Sequence, residues 1–180
     1  MSSSSNHPQN DPATCYWLTG FSGAGKTTAG TLFKARLDQI NRPALLLDGD
    51  VLRAVFGNAH GHDRADRLKL ALSYSRLCRE ITAQGVTVIC ATISMFHSVH
   101  DWNRKNIPNY REIYLRVPIG ELQERDPKGI YKEAKDGARA DVVGLDQAAE
   151  EPLNPDMVID NHGDTTAEET LDLIWNTLVT

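Results

Sequence analysis

Cysteine is scarce in this 180-residue chain. Cys15, Cys78 and Cys90 share no metal-type spacing, so no disulfide framework or zinc site is expected from them. They read as small buried hydrophobes in a reducing compartment. Long hydrophobic runs are missing as well. The longest apolar-leaning stretch, Val86 to Ile93, is far too short to span a bilayer. Met1 to Pro12 consists mainly of Ser, Asn, Gln and Pro, without the apolar segment of a secretory signal. A cytoplasmic protein without a membrane partner is expected, with residues 1–13 a disordered tail. No basic block offsets the formal net charge of −5, which argues against nucleic acid as a partner. His60 with His62, and His97 with His100, fall in separate loops with no Cys or carboxylate set to complete a metal site. There is no internal repeat, so residues 14–180 are expected to form one domain. The sequence leaves a homodimer open.

What the chain does have is Gly20-Phe21-Ser22-Gly23-Ala24-Gly25-Lys26-Thr27, followed by Thr28. This fits G-x-x-x-x-G-K-[ST], the phosphate-binding P-loop, at every fixed position. The glycines allow a tight turn in which consecutive backbone N–H groups, from Ser22 through Ala24 to Thr28, point at a nucleotide phosphate. Lys26 adds a mobile positive charge, and the Thr27 hydroxyl suits Mg²⁺. The flanks agree. Cys15 to Thr19 is a short β-type run, and Leu32, Phe33, Arg36, Leu37 and Ile40 trace a helical face whose N-terminus favours anions.

Further along, Ala44 to Leu47 is a continuous apolar run, expected as a strand buried on both faces and followed by Asp48-Gly49-Asp50. A short helix over Val51 to Phe56 and a loop from Gly57 to His62 are expected next. Leu70, Tyr74, Leu77 and Ile81 then repeat with helical period until Gly85 supplies a C-terminal cap. Val86 to Ile93 is rich in β-branched residues and reads as a strand. A helix around Val99 to Asn106, a strand from Arg111 to Val117 and a helical turn from Ile119 to Glu124 follow. Arg125 to Pro155 is charged and glycine-punctuated, long enough to be read as a functional lid. Met157 to Asp160 is the last strand, and Thr165 to Glu169 opens a capped helix. The alternation predicts an α/β protein: a P-loop NTPase-type three-layer fold with a mainly parallel five-stranded sheet. Thr19/Gly20, Asp48/Asp50 and Ser94/Phe96 all fall at the carboxyl edge, where such sheets bind ligands.

A P-loop alone leaves the class of nucleotide enzyme open. Asn103-Arg104-Lys105-Asn106 is not the N-K-x-D base-reading motif of a GTPase, and the small size with a long charged lid favours a kinase of a small acceptor. The P-loop, Asp48-Gly49-Asp50 with Arg53, Asp66-Arg67, Ile93-Ser94 with Phe96, and Arg125-Asp126-Pro127-Lys128-Gly129-Ile130-Tyr131-Lys132 together resemble adenylyl-sulfate kinase. Gly144-Leu145-Asp146 and Pro152-Leu153-Asn154-Pro155-Asp156 extend the resemblance, which runs collinearly from Tyr16 to about Asp160. It implies a kinase using ATP and Mg²⁺ to phosphorylate the ribose 3′-hydroxyl of adenosine 5′-phosphosulfate. It further implies that Asp50 assists the acceptor hydroxyl near Mg²⁺, with Asp48 its partner on the metal side. Arg53 and Arg67 would hold the anionic 5′ group, although either alone would also suit a solvated helix charge. Ile93, Ser94 and Phe96 would line the acceptor site, Phe96 being equally suited to the core. Lys128 would neutralise the transferring phosphate, and Arg125 would cover the ATP base.

The departures from the family pattern cluster on one half of the reaction. Val51 stands for Asn, His62 for Phe, Leu70 for Asn, Met95 for Pro and Val142 for the second Phe. The two missing Phe are those that sandwich the acceptor adenine in the family, and each stacking face is worth about 1 kcal/mol or more. Three readings follow: an adenylyl-sulfate kinase with an altered pocket; a relative acting on another nucleotide, such as cytidine diphosphoramidate in capsule modification; or a regulatory nucleotide-binding protein. Intact Lys26, Asp50 and Lys128 count against the last.

Overall fold

The computed structural model describes residues 12–56, 63–138, 142–145 and 149–179. Five parallel strands form one sheet: β1 (Cys15–Thr19), β2 (Ala44–Asp48), β3 (Thr87–Ala91), β4 (Tyr110–Arg116) and β5 (Met157–Asp160), in the order β2-β3-β1-β4-β5. The main helices are α1 (Lys26–Gln39), α2 (Gly49–Val55), α3 (Arg64–Ala83) and α4 (His97–Asn106). They are followed by α5 (Ile119–Arg125), α6 (Ile130–Lys135) and α7 (Ala167–Leu178). This is the expected three-layer α/β fold.

The central strand shows why the layers form. Side chains alternate across a strand, so β1 sends Tyr16 and Leu18 into one core and Cys15 and Trp17 into the other. The first core is closed by Phe33 and Leu37 of α1 and Leu171 and Ile174 of α7. Tyr16 meets Phe33 edge-on, with ring centroids 4.8 Å apart. The second is closed by Leu70 and Tyr74 of α3 and Val99 of α4. All three cysteines are buried and free, as expected. Helix ends follow their local signals. Asp63 caps α3 through the Asp66 N–H, and Thr166 with Glu169 forms a reciprocal capping box on α7, each cap worth about 1 kcal/mol. At the other end of α3, Gly85 takes a φ of 84°, and the Gly85 and Val86 amides reach back to Thr82 and Ile81.

Two expectations need correction. The Ala44 to Leu47 run is not buried on both faces: β2 is an edge strand, and Leu45 is 45% exposed. An apolar run of that length fits either place in a parallel sheet, and neighbouring strands decide which. Ile40 lies beyond α1 and is also 45% exposed. The 125–155 segment is more than a connection. It contains α6, and its Tyr131 and Val142 are buried in the first core. The Gly57 to His62 loop lies outside the described residues, as does Asp146.

Candidate active site

The loop after β1 is shaped by what surrounds it. A Cβ on Gly20 would lie 2.5 Å from the Leu115 carbonyl oxygen on neighbouring β4. At Gly25, φ is +87° and a Cβ would lie 2.7 Å from the Asn161 amide nitrogen. Only glycine fits either position. Asn161, just past β5, holds the loop from behind. Its amide donates to the Ala24 carbonyl at 2.9 Å and its carbonyl accepts from the Thr170 hydroxyl at 2.6 Å. Unlike α3 and α7, α1 has no side-chain cap and no acidic residue in its first turn. Its N-terminal amides and dipole are left for an anion.

Lys26 folds back so that its ammonium donates to the Phe21 carbonyl at 2.7 Å. Burial, and then the nearby Lys128 charge, pushes its pKa down to about 7, while Asp48 and Asp50 pull the other way. Thr27 donates to Asp48 Oδ2 at 2.7 Å, and Asp48 Oδ1 caps α2 by accepting from the Asp50 N–H at 2.9 Å. The Asp48-Gly49-Asp50 turn thus serves the local backbone and still presents carboxylate oxygen to the Thr27 hydroxyl. Hard oxygen donors beside a phosphate loop are what Mg²⁺ takes when most of its shell is water and phosphate. Among the described residues no group of three or more His, Cys, Asp or Glu could hold a metal ion. His60 and His62 lie outside the described residues.

Beside the loop opens a cavity of about 210 Å³. Asp50, Arg53, Arg67, Ile93, Ser94, Phe96, Lys128 and the loop's own Ser22 all line it. Eight predicted positions are therefore brought to one place. Lys128 forms an ion pair with Asp50 across its mouth. The segment carrying Lys128 is pinned by Asp126, which accepts from the Tyr131 and Lys132 amides at 3.2 and 2.9 Å, and by the Tyr131 hydroxyl, which donates to Ser22 O at 3.0 Å. Leu70 and Val142, two of the departures from the family pattern, line the same cavity. Phe96 does double duty, lining the cavity and packing in the second core. The carbonyls of Ile93 and Ser94 are engaged, by Thr19 at 2.5 Å and by His100 at 3.1 Å, and the Ser94 hydroxyl lies 2.9 Å from that of Thr92.

Arg125 stands apart from the cavity. Its guanidinium pairs with Glu121 at 2.5 Å and donates to the main-chain carbonyl of Asn161 at 3.0 Å. Thr28 is exposed on α1. Sequence reasoning passed over Asn161, Tyr74 and Arg64. Asn161 had a signal, since it follows a strand at the same carboxyl edge as the other site residues. Arg64 also lines the cavity; its guanidinium lies 5.3 Å from the Phe96 ring centroid and pairs with Glu150.

The comparisons with known proteins agree with this geometry. The family profile of adenylylsulphate kinase matches residues 12–160. The cytidine diphosphoramidate kinase of Campylobacter jejuni subsp. jejuni is 39% identical over 158 residues, covering 88% of this chain and 92% of that protein. The adenylyl-sulfate kinase of Rippkaea orientalis is 33% identical over 162 residues, covering 90% of this chain and 89% of that protein. Among solved structures, the Mycobacterium tuberculosis APS kinase in complex with AMPPNP and APS superposes with a TM-score of 0.86 at 27% identity, covering 94% of this chain and 99% of that one. No helix among the described residues is long and apolar enough to cross a membrane. The chain belongs to the adenylylsulphate kinase family and is a P-loop kinase, a phosphotransferase built to act on an alcohol group.

Proposed function

We propose that the protein uses ATP and Mg²⁺ to phosphorylate the ribose 3′-hydroxyl of a nucleotide with a tetrahedral anionic 5′ end group, adenosine 5′-phosphosulfate or a close relative. The observation that carries this reading is the Asp50–Lys128 pair at the mouth of a cavity lined by Arg53 and Arg67, beside the phosphate loop. Transfer of a phosphoryl group needs donor and acceptor aligned, developing charge neutralised and water kept out. The loop amides and Lys26 hold the donor phosphates, and Arg125 covers the donor base. Thr27 and Asp48 would hold Mg²⁺, which neutralises phosphate charge when bound. Asp50 accepts a hydrogen bond from the acceptor hydroxyl and takes its proton as the new bond to the γ-phosphorus forms and the bond from that phosphorus to the bridging oxygen breaks, releasing ADP. In the ion pair Lys128 restrains Asp50; with substrates in place its ammonium turns to the transferring group. Arg53 and Arg67 grip the 5′ anion with paired N–H donors.

A second reading names the acceptor as cytidine diphosphoramidate. It is favoured by Leu70 and Val142, small or aliphatic cavity walls where the family pattern has Asn and Phe. Without two aromatic faces a purine gains little over a pyrimidine. The resemblance to the Campylobacter enzyme points the same way. Steady-state kcat/KM on both nucleotides tests the pair of readings. Turnover of adenosine phosphosulfate alone would reject the pyrimidine reading; turnover of neither would reject both.

A further inference from the structure

Below the acceptor cavity lies a buried polar chain that the reaction scheme above leaves unused. Ser94, which lines the cavity, has a φ of 27°, in the left-handed region that non-glycine residues avoid. Something must hold it there. Its carbonyl accepts from the Phe96 amide at 3.0 Å and meets His100 Nε2 at 3.1 Å. A carbonyl oxygen can only accept, so Nε2 carries a proton. The other ring nitrogen, Nδ1, faces Glu112 Oε1 at 3.0 Å. The His100 and Glu112 side chains are only 7% and 2% exposed, and neither Nδ1 nor Oε1 has another hydrogen-bond partner among the described residues.

A neutral imidazole with Nε2–H presents a lone pair at Nδ1, and an ionised carboxylate presents another. Two lone pairs at 3.0 Å in a buried core would repel, with both atoms left unsatisfied. One proton between them removes the conflict, whether written as imidazolium with carboxylate or imidazole with carboxylic acid. We propose that His100 and Glu112 share one buried proton, and that this pair is the positioning device that holds Ser94 in its strained conformation beneath the acceptor nucleotide. The far side of the pair is also fixed. Arg104 donates to Glu112 Oε2 at 3.0 Å and to Asp156 at 3.2 Å, while Asp156 accepts the Glu112 backbone N–H at 2.9 Å. The charged and titratable groups that face the pair are His97, Asp101 and Arg104 on α4, Tyr110 on β4, Glu150 within the 125–155 segment and Asp156 before β5. Burial lowers the His100 pKa and raises that of Glu112, both favouring the form without separated charge; Arg104 opposes this at Glu112.

The positioning part rests on the acceptor site proposed above; the shared proton does not. Nuclear magnetic resonance of the imidazole in the parent protein should show a hydrogen-bonded Nδ1 proton, or its Glu112 counterpart, far downfield. Glu112→Gln should lose that signal, because its amide N–H donates to Nδ1 and its carbonyl accepts from Arg104. The same variant should keep the parent's acceptor KM within about twofold. Glu112→Ala and His100→Ala should raise acceptor KM about tenfold, the scale of one lost buried hydrogen bond, with ATP KM unchanged. A parent protein with no such proton, or a His100→Ala variant with unchanged acceptor KM, overturns the proposal. If the alanine variants do not fold, the parent spectrum and Glu112→Gln still decide it. If the parent phosphorylates neither nucleotide, the functional reading has failed separately. The pair is then judged by the ring proton and by hydrogen exchange at the Phe96 amide, which should quicken in Glu112→Ala and stay slow in Glu112→Gln.

Discussion

The two sides of the cleft are built on different principles. On the donor side, the site is mostly main chain: amides of a tight loop, the first turn of α1, and glycines that a Cβ would drive into Leu115 or Asn161. On the proposed acceptor side it is mostly side chains brought from α2, α3, the loop after β3 and the segment around Lys128 and Val142. A main-chain site recognises phosphate, a group common to every nucleotide, and tolerates little change in sequence. A side-chain site can be rewritten one residue at a time without disturbing the fold. Leu70 and Val142 illustrate such rewriting, whereas every fixed position of the phosphate loop is kept. In the proposed function, the reaction and the acceptor are specified by separable parts of the molecule.

The largest test of that separation is Lys26→Ala. We expect phosphoryl transfer to fall about a thousandfold or more, as for loss of a principal charge-stabilising donor. The fold should survive, because removing an ammonium whose pKa burial has pushed down to about 7 relieves a desolvation cost. Circular dichroism and a thermal melt check this; a variant that no longer folds would show that Lys26 belongs to the scaffold.

Asp50→Asn comes next. The amide keeps the shape and the hydrogen-bonding reach of the carboxylate but cannot accept the proton, so kcat should drop about a hundredfold, with acceptor KM nearly unchanged. If kcat is retained and only KM rises, Asp50 positions the acceptor and does not assist the chemistry.

Asn161→Ala should loosen the donor side alone. It strips the Ala24 carbonyl and the Thr170 hydroxyl of their buried partner, at a cost of about 1–3 kcal/mol in stability. ATP KM should rise while acceptor KM holds. Equal rises in both would show that the two sides are mechanically coupled.

The smallest expected effect is a pH dependence confined to the donor side. In the free protein Lys26 titrates at about 7, and a bound triphosphate restores its ordinary preference for the charged form. Below pH 7 it is already protonated, and above pH 7 ATP binding takes up a proton. Affinity should therefore weaken by about fivefold from pH 7 to pH 8, the response of one linked proton. Calorimetry in buffers of different ionisation enthalpy would detect the uptake. Acceptor binding measured in parallel should lack this step.

The sequence by itself determined whatever depends on near neighbours. The P-loop, the strand–loop–helix around it, the caps at Asp63 and Thr166, and the glycine stop at Gly85 are fixed within a few residues, where backbone sterics and local hydrogen bonds rule. Site residues at strand ends, such as Asp50 and Ser94, were legible for the same reason, since a parallel sheet puts all its carboxyl ends on one edge. The rest needed the tertiary structure. That β2 is an edge strand depends on which strands flank it, which its own four apolar residues do not encode. Arg64 enters the cavity through Phe96 and Glu150, and Asn161 reaches back across 137 positions to Ala24. His100 and Glu112 read separately as a loop histidine and a strand glutamate. Only the packing of α4 against β4 puts them 3.0 Å apart and buried, where a shared proton becomes the low-energy arrangement.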